Sequence, residues 1–379
     1  MEHIYLDHAA TAPMHKDVLK AMYPVYEEVF GNPSSVHAFG RKARQMLDQS
    51  RRVLAESVHA NEKEIIFTSG GTESDNMALI GAAAERKPLG NHIITTAQEH
   101  HAVLHAAEHL EKQGFEVTYL PVYEDGRISM EDLKQSLTED TILVSVMFAN
   151  NETGVIQPVE EIGNLLAGHQ AYFHTDAVQA YGLIDISVKD LGIDMLTVSS
   201  HKINGPKGIG FLYVKEGVKL EALQFGGEQE RKRRPGTENV PGAVGFSKAA
   251  QIGMEQRDDR NQLYKGYKEF FLSVLEEHGI AFEVNGDVQG SIASIVNVSF
   301  PGMNVETLLT NFDLEGIAAS SGSACTAGSV EPSHVLSAMY GKNNECTTNS
   351  IRFSFGLFNT EKNVKEAAAR VAKIIKRLT

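Results

Sequence analysis

Residues 199–210 of the chain read SSHKINGPKGIG, after an apolar run at residues 195–198 and leading into a second one at residues 209–214. The two runs predict buried strands, and the glycines and proline between them predict a turn. Lys202 therefore lies at the end of a predicted strand. Burial there would lower the pKa of the lysine, and a neutral amine can form a Schiff base with an aldehyde cofactor. The alternative for this residue alone is a solvated surface charge.

Upstream of this segment, short apolar strands alternate with helical patterns from residue 64 onward. Strands are predicted at residues 65–68, 92–95, 117–120, 142–147 and 172–174, and helices at residues 73–85, 101–113, 130–137 and 159–167. Such alternation predicts an α/β fold with a mainly parallel central sheet. Ligands of these sheets bind outside the carboxyl ends of the strands, where Lys202, Asp176 and the turn at residues 70–72 fall.

The pattern changes after residue 255, which predicts a second domain. A long helix is predicted at residues 259–278, then a strand at 295–300, a helix at 305–314, a loop at 320–329, a strand at 351–355 and a last helix. That last helix places Val364, Ala368, Val371, Ile375 and Leu378 on one face. We expect a large domain at residues 16–255 and a smaller α+β domain formed by residues 1–15 and 256–379.

Composition narrows the class of function. The 379 residues carry a formal net charge of -14, which argues against non-specific binding of nucleic acid. The apolar run at residues 142–149 is too short to span a bilayer. The N-terminus does not follow the pattern of a signal peptide, so the two cysteines are expected to be reduced and the protein cytoplasmic.

Residues 69–74, SGGTES, join a predicted strand to the N-terminus of a predicted helix. Glycines expose backbone N–H groups there and the helix dipole favours an anion, so Gly71 and Thr72 could hold a phosphate. The segment is not a Walker loop, since no GK[ST] follows. A plain helix cap is the alternative interpretation.

Asp176 is the acidic residue next to another strand end. Its carboxylate could pair with a protonated pyridine nitrogen and make that ring an electron sink. An aspartate that caps a helix is the alternative.

A group of histidines follows the strand at residues 92–95. His101, His105 and His109 are four residues apart, which resembles zinc-ligand spacing, but the HExxH pattern is absent and we expect no metal. His100 differs from these, because a ring at a strand end can stack on a flat cofactor.

Cys325 lies in a run of small residues, 320–329, which predicts a flexible and exposed loop. Free cysteines usually prefer the core, so this setting indicates a reactive thiol; a buried cysteine in a tight turn is the alternative. Cys346 has no such setting. Arg352, on the last short strand, is a candidate clamp for a carboxylate, with surface solvation as the alternative.

Taken together, these residues resemble the NifS/IscS-type cysteine desulfurases, which are class-V aminotransferases and fold-type I pyridoxal-phosphate enzymes. The resemblance covers nearly the whole chain, and the shared order of the motifs makes it specific. The matching segments are residues 5–11 (YLDHAAT), 31–35 (GNPSS), 68–74 (TSGGTES), 99–100 (EH), 150–154 (NNETG), 176–179 (DAVQ), 199–202 (SSHK), 234–239 (RPGTEN) and 320–325 (SSGSAC).

The resemblance implies roles around pyridoxal 5′-phosphate. Lys202 would be the Schiff-base lysine, His100 the stacking ring and Asp176 the partner of the pyridine nitrogen. Gln179 would bond the ring hydroxyl. The implied phosphate ligands are Gly71, Thr72, Ser199 and His201, with Thr237 from a second subunit. A homodimer is therefore expected.

The resemblance also implies the reaction. Asn151, which would also contact the cofactor, and Arg352 would hold the carboxylate of L-cysteine, together with Asn32. The amine of Lys202 would take the Cα proton, and Cys325 would accept sulfur as a persulfide while alanine leaves. The long loop around Cys325 resembles that of the group whose cysteine moves outward to deliver sulfur.

The partner implied is a sulfur-acceptor protein. Relatives that serve iron–sulfur scaffolds usually carry a longer C-terminal tail, so the sequence is more similar to members that feed a tRNA thiouridylase, which makes 2-thiouridine; a scaffold for iron–sulfur clusters is the other acceptor considered. The competing functions are a selenocysteine lyase, a cysteine-sulfinate lyase, another fold-type I aminotransferase, and a non-catalytic sulfur carrier that would leave Lys202, Asp176 and His100 unexplained.

Overall fold

The computed structural model describes residues 3–322 and 331–379 of the chain. The strands are β1 (Ile4–Tyr5), β2 (Ile65–Thr68), β3 (His92–Thr96), β4 (Glu116–Leu120), β5 (Thr141–Ser145), β6 (Tyr172–Asp176), β7 (Met195–Ser199), β8 (Gly210–Val214), β9 (Glu283–Val284), β10 (Ile295–Ser299), β11 (Ile317–Ala318) and β12 (Ser350–Ser354). The helices are α1 (Lys16–Glu28), α2 (Ala38–Glu56), α3 (Gly71–Arg86), α4 (His101–Lys112), α5 (Met130–Ser136), α6 (Val159–Leu166), α7 (Gln229–Lys232), α8 (Val240–Glu255), α9 (Arg257–Glu277), α10 (Val305–Leu314), α11 (His334–Tyr340), α12 (Cys346–Asn349) and α13 (Glu361–Leu378).

The central sheet has the strand order β2-β8-β7-β6-β5-β3-β4. Strands β4, β3, β5, β6 and β7 run parallel, whereas β8 is antiparallel to both of its neighbours. Every residue of β3, β5 and β7 is buried, as expected for strands that are covered by helices on both faces. The predicted α/β fold class with a mainly parallel sheet is confirmed.

A second sheet, in the order β12-β10-β9, is antiparallel and lies in the C-terminal part. Its hydrophobic cluster is separate from the one around the central sheet and includes Ile4, Leu6, Phe271, Phe353 and Val371. The N-terminal strand β1 belongs to this part because it pairs in parallel with β11. The predicted division at residues 15/16 and 255/256 stays a prediction.

The last helix, α13, shows how local sequence specifies an element. Thr360 and Asn363 form a capping box at its start, with each side chain bonded to the backbone of the other. The predicted apolar face is present, because Val364, Ala368 and Val371 are completely buried. No helix in the described ranges is long and apolar enough to cross a bilayer.

Three helices of the large part, residues 16–255, were not predicted: α1, the four-residue α7, and α8. Helix α1 contains Pro24 and carries the largely exposed Tyr23 and Tyr26, so its apolar pattern does not follow one buried face. Helix α8 contains several glycines, which disfavour a helix locally. One of them, Gly245, packs closely against α1, because a Cβ there would lie 2.4 Å from the Met22 sulfur and would displace that side chain.

Candidate active site

A cleft of about 480 Å³ opens at the carboxyl ends of β5, β6 and β7 and faces the C-terminal part of the chain. Most of the predicted site residues line it: Gly71, Thr72, His100, Asn151, Asp176, Gln179, Ser199, His201, Lys202 and Arg352. Two do not, since Asn32 and Thr237 are exposed and lie outside this lining. Cys325 lies outside the described residues.

Lys202 ends a short 3₁₀ turn, residues 200–202, directly after β7. Its Nζ donates hydrogen bonds to the carbonyl oxygens of Ala9 and, at 2.8 Å, Ala10. Burial and, to a smaller extent, the nearby charge of Arg352 together lower the pKa of Lys202 to about 8, against the opposing effects of Asp176 and Asp7. A minor but appreciable fraction of the amine is therefore in its neutral, nucleophilic form near neutral pH, far more than for a surface lysine.

The carbonyls that hold Lys202 belong to the segment Asp7–Thr11, which crosses from β1 to the central sheet. Gln179 also donates to the Ala9 carbonyl, at 3.0 Å, and His201 bonds the Thr11 hydroxyl at 3.0 Å. This short segment thus orients several groups of the cleft at once. The sequence identified it as a motif but assigned no role to it.

Asp176 is the last residue of β6, and its Oδ1 accepts a hydrogen bond of 2.9 Å from the backbone N–H of Val178. Burial raises the pKa of Asp176 to about 6, an effect that this bond and the charge of Lys202 oppose. The carboxylate is therefore available as an anion near neutral pH, and a cationic ligand would stabilise that form.

His100 is the N-cap of α4, where its Nδ1 accepts a hydrogen bond of 3.1 Å from the N–H of Ala102. This bond fixes the ring at the wall of the cleft. Burial lowers the pKa of His100 to about 4, and the charge of Lys202 adds to this effect. The ring is consequently neutral and flat, which suits stacking on an aromatic ligand.

One end of the cleft continues into a second cavity of about 440 Å³ at the N-terminus of α3. Gly71, Thr72, Ser199 and His201 line both spaces. The helix has 16 residues, and its first N–H groups and dipole favour an anion at this position. This end of the cleft therefore has the composition of a phosphate site.

Arg352 lies on β12 and reaches the cleft from the C-terminal part. Its Nη2 donates to Asp7 Oδ1 at 2.8 Å, and its Nη1 donates to the Asn151 carbonyl at 2.8 Å. The Nε atom is buried and has no partner among the described residues. The two bonds fix the guanidinium, and the buried Nε without a partner leaves it preorganised for a carboxylate.

We expect the substitution Arg352→Gln to raise the KM for an amino-acid substrate about 100-fold, because a buried charge-assisted pair is worth roughly 2–5 kcal/mol. Steady-state kinetics separates this effect from a smaller change in kcat. Arg377→Gln, which removes an exposed arginine on α13, is the matched control. An unchanged KM in the Arg352 variant would contradict the assignment.

Four further side chains of the cleft were not predicted: Asp75, His101, Glu152 and His334. Glu152 is fully buried; its Oε2 accepts a hydrogen bond of 2.6 Å from Ser333, and burial raises its pKa to about 7. Asp75 and Glu152 lie inside the SGGTES-D and NNETG segments, so their positions were visible in the sequence. Their burial was not.

The polar atoms of the cleft are incompletely satisfied. Asp75 Oδ1, Asn151 Oδ1, Glu152 Oε1 and Arg352 Nε are buried without a hydrogen-bond partner within the described ranges. Buried polar groups are normally paired, so such a set at one cleft indicates a polar ligand. No group of three or more candidate metal ligands occurs in the part of the chain that the structure describes.

Comparison with known proteins gives a consistent result. The model of the aminotransferase class-V family matches residues 4–366. The putative cysteine desulfurase IscS 1 of Bacillus subtilis is 58% identical over 379 residues, the full length of both chains. The cysteine desulfurase IscS of Clostridium botulinum is 46% identical over 375 residues, 98% of this chain and 94% of that one. A solved NifS-like protein superposes with a TM-score of 0.93 at 34% identity, covering 99% of this chain and 100% of that chain.

The chain therefore belongs to the aminotransferase class-V family and, within it, to the pyridoxal-phosphate-dependent cysteine desulfurases of the NifS/IscS type. The predicted family, enzyme class and cofactor are confirmed. The roles of the individual site residues stay predictions, as does the identity of the sulfur acceptor.

Proposed function

We propose that this enzyme removes sulfur from L-cysteine and passes it, as a persulfide on Cys325, to an acceptor protein. The observation that carries the proposal is the convergence of Lys202, Asp176, His100 and Arg352 on one cleft from four separate elements. This set provides a nucleophilic amine, an anion, a flat ring and a carboxylate clamp. The names of the curated relatives support the same substrate.

The residues of the cleft fit pyridoxal 5′-phosphate. Gly71, Thr72, Ser199 and His201 would hold its phosphate at the N-terminus of α3, His100 would stack on its ring, and Asp176 would pair with the ring nitrogen. Gln179 would reach the ring hydroxyl. When bound, the cofactor supplies an aldehyde carbon that joins to amines and a ring that withdraws electrons from the substrate Cα.

Side chains of the protein orient the substrate, move the proton and accept the sulfur. Arg352 and Asn151 orient the substrate carboxylate, and the Nζ of Lys202 holds and moves the Cα proton. The thiolate of Cys325 attacks the substrate sulfur, so that an S–S bond forms as the Cβ–S bond breaks and its electron pair stays with carbon. A proton replaces sulfur on Cβ, and L-alanine is the product.

The proposal includes the protein that accepts sulfur from Cys325. We place the enzyme in the cytoplasm, where Cys325 stays reduced, with a tRNA thiouridylase as the acceptor and an iron–sulfur scaffold as the second candidate. The net charge of -14 supports delivery through a protein partner, because it disfavours direct contact with RNA.

A homodimer would complete the site. Several large apolar side chains are exposed in the single chain: Tyr23, Tyr26, Phe30, Phe39 and Phe225. The rings of Phe30 and Phe39 contact each other, with 5.1 Å between their centroids. A contiguous exposed apolar patch marks an interface between proteins, and a second copy of this chain would cover it. Thr237, which is exposed and lies outside the lining of its own cleft, would reach the phosphate of the second subunit.

Mixed dimers test this arrangement. Lys202→Ala and Thr237→Asp homodimers are each expected to be inactive, whereas random subunit exchange should restore about one quarter of wild-type activity, because half of the dimers then contain one intact site. Light scattering after size exclusion gives the mass. An active monomer, or no recovery from a mixture that does exchange subunits, would contradict a shared site.

The function is tested by product analysis. The purified enzyme is incubated with L-cysteine and a thiol reductant, and alanine and sulfide are quantified. We expect equal amounts of the two products. Alanine formed from L-selenocysteine but not from L-cysteine would favour a selenocysteine lyase, and amino-group transfer to a 2-oxo acid without sulfide would favour an aminotransferase; either result would contradict the proposal.

A further inference from the structure

Three carboxyl groups lie buried together next to the cleft, and the proposed function uses only one of them. Asp75, Glu99 and Asp176 are 1%, 0% and 6% exposed. The charge of Asp176 acts on both of the others, and Glu99 also acts on Asp75. Like charges at such burial cannot all be ionised, so protons must be held within this group.

Asp75 extends from α3 toward β6 and β7. Its Oδ1 lies 3.7 Å from His174 Nε2, which is too long for a hydrogen bond, and this oxygen has no hydrogen-bond partner among the described residues. Both ring nitrogens of His174 are within hydrogen-bond distance of hydroxyls, those of Ser145 at 2.8 Å and Thr197 at 3.1 Å. Burial lowers the pKa of His174 to about 3, so the ring supplies no positive charge.

The remaining groups around Asp75 do not stabilise its anion sufficiently. Burial raises the pKa of Asp75 well above its usual range and the charge of Asp176 raises it further, while a hydrogen bond with Thr197 opposes these effects only in part. Burial raises the pKa of Glu99 to about 8, although Glu99 accepts bonds from Thr96 and from the Met147 N–H. The cation that acts on Asp176 is Lys202, whose charge lowers the pKa of that carboxyl.

We propose that Asp75 is a positioning residue that stays uncharged beside Asp176, so that Asp176 is the single carboxylate available to the ring nitrogen of the cofactor. This inference rests on the proposed function, because it concerns how the site receives a protonated pyridine. A second anion at Asp75 would favour protonation of Asp176 and remove the partner of the ring. A neutral Asp75 leaves the negative charge on Asp176.

The protonation of Asp75 has a consequence for stability that does not depend on catalysis. An aspartate ionises at pH about 3.9 in the unfolded chain, whereas Asp75 keeps its proton in the folded chain. Above that pH the unfolded state therefore binds fewer protons, so the folded state loses stability as the pH rises until Asp75 ionises. Asp75→Asn removes this loss because an amide carries no charge in either state.

The test compares the full-length wild type and Asp75→Asn by chemical unfolding from pH 5 to pH 9, with and without saturating pyridoxal 5′-phosphate. The ratio of the two folding equilibrium constants should change in favour of the variant by up to about tenfold per pH unit. Glu85→Gln, which removes an exposed carboxylate from the same helix, is expected to follow the wild type. A ratio that is constant with pH would overturn the proposal, and Asp75→Ala repeats the test if the amide variant does not fold.

A second measurement addresses the cofactor. The visible absorption of the holoenzymes is titrated with pH; the wild type should show an alkaline change as Asp75 ionises, which Asp75→Asn lacks and Glu85→Gln retains. Identical alkaline changes in the wild type and Asp75→Asn would overturn the positioning role. Failure of the protein to bind pyridoxal phosphate would instead refute the proposed function, and the unfolding series without cofactor would still report the proton on Asp75.

Discussion

Replacing Lys202 by alanine is expected to reduce the turnover of L-cysteine by at least about 10⁴-fold, the range found when a catalytic nucleophile or base is removed. Two functions are lost together, since the same Nζ attaches the cofactor and moves the Cα proton. The substitution removes the two hydrogen bonds from Nζ to the Ala9 and Ala10 carbonyls, but the Ala9 carbonyl keeps its bond from Gln179. The fold is therefore expected to remain, and circular dichroism can verify it.

The covalent attachment is measured directly. Borohydride reduction followed by intact-mass spectrometry should add one reduced cofactor to the wild type and none to the variant. Lys219→Ala is the control, because this lysine is exposed and lies outside the linings of the cleft and of the cavity at α3. Cofactor that remains covalently bound to the Lys202 variant would show that another amine is the attachment point.

Replacing Cys325 by alanine is the second large effect, with sulfur transfer from L-cysteine expected to fall at least about 10³-fold. The physical reason is that no other group can form the S–S bond that takes sulfur from the substrate. Cofactor binding should be unchanged, because the residues that would hold it are all in the large part and on β12. Persulfide on the protein is detected by alkylation and mass spectrometry.

Cys346→Ala is the matched control for this experiment. Cys346 is buried, and burial raises its pKa to about 11, so its thiol is almost entirely protonated at neutral pH and a poor nucleophile. We expect this variant to retain full sulfur transfer. A persulfide that persists in Cys325→Ala and disappears in Cys346→Ala would reverse the assignment of the two cysteines.

Local sequence was sufficient for the main elements of the large part. The strand at residues 65–68 was predicted with the bounds that the structure has, as was the helix at residues 305–314 in the C-terminal part, and most others were predicted within a few residues. The bounds of these elements follow from short apolar runs that end at glycine or proline, so a few neighbouring residues are enough to predict them. Helices α1 and α8 were not predicted, because exposed tyrosines in α1 and glycines in α8 obscure the usual helical periodicity of apolar residues.

Some residues of the candidate site could likewise be selected from the sequence, and others could not. Lys202, Asp176 and His100 could be selected from sequence because each stands at a strand end with a distinctive neighbourhood. The position of Arg352 beside Asp7 could not, since 345 residues separate them and only the pairing of β1 with β11, together with the bridge between Asp7 and Ser354, brings them together. The burial of Asp75 was equally hidden.

The sequence by itself determined which residue types are present, the order of strands and helices, and the family resemblance. Only the tertiary structure decided which charges face one another and how far they are removed from water. Chemistry at this site depends on those two quantities, because a lysine with a pKa of about 8 and an aspartate with a pKa of about 6 differ from surface residues in burial and neighbours alone. Both are properties of distant segments brought into contact.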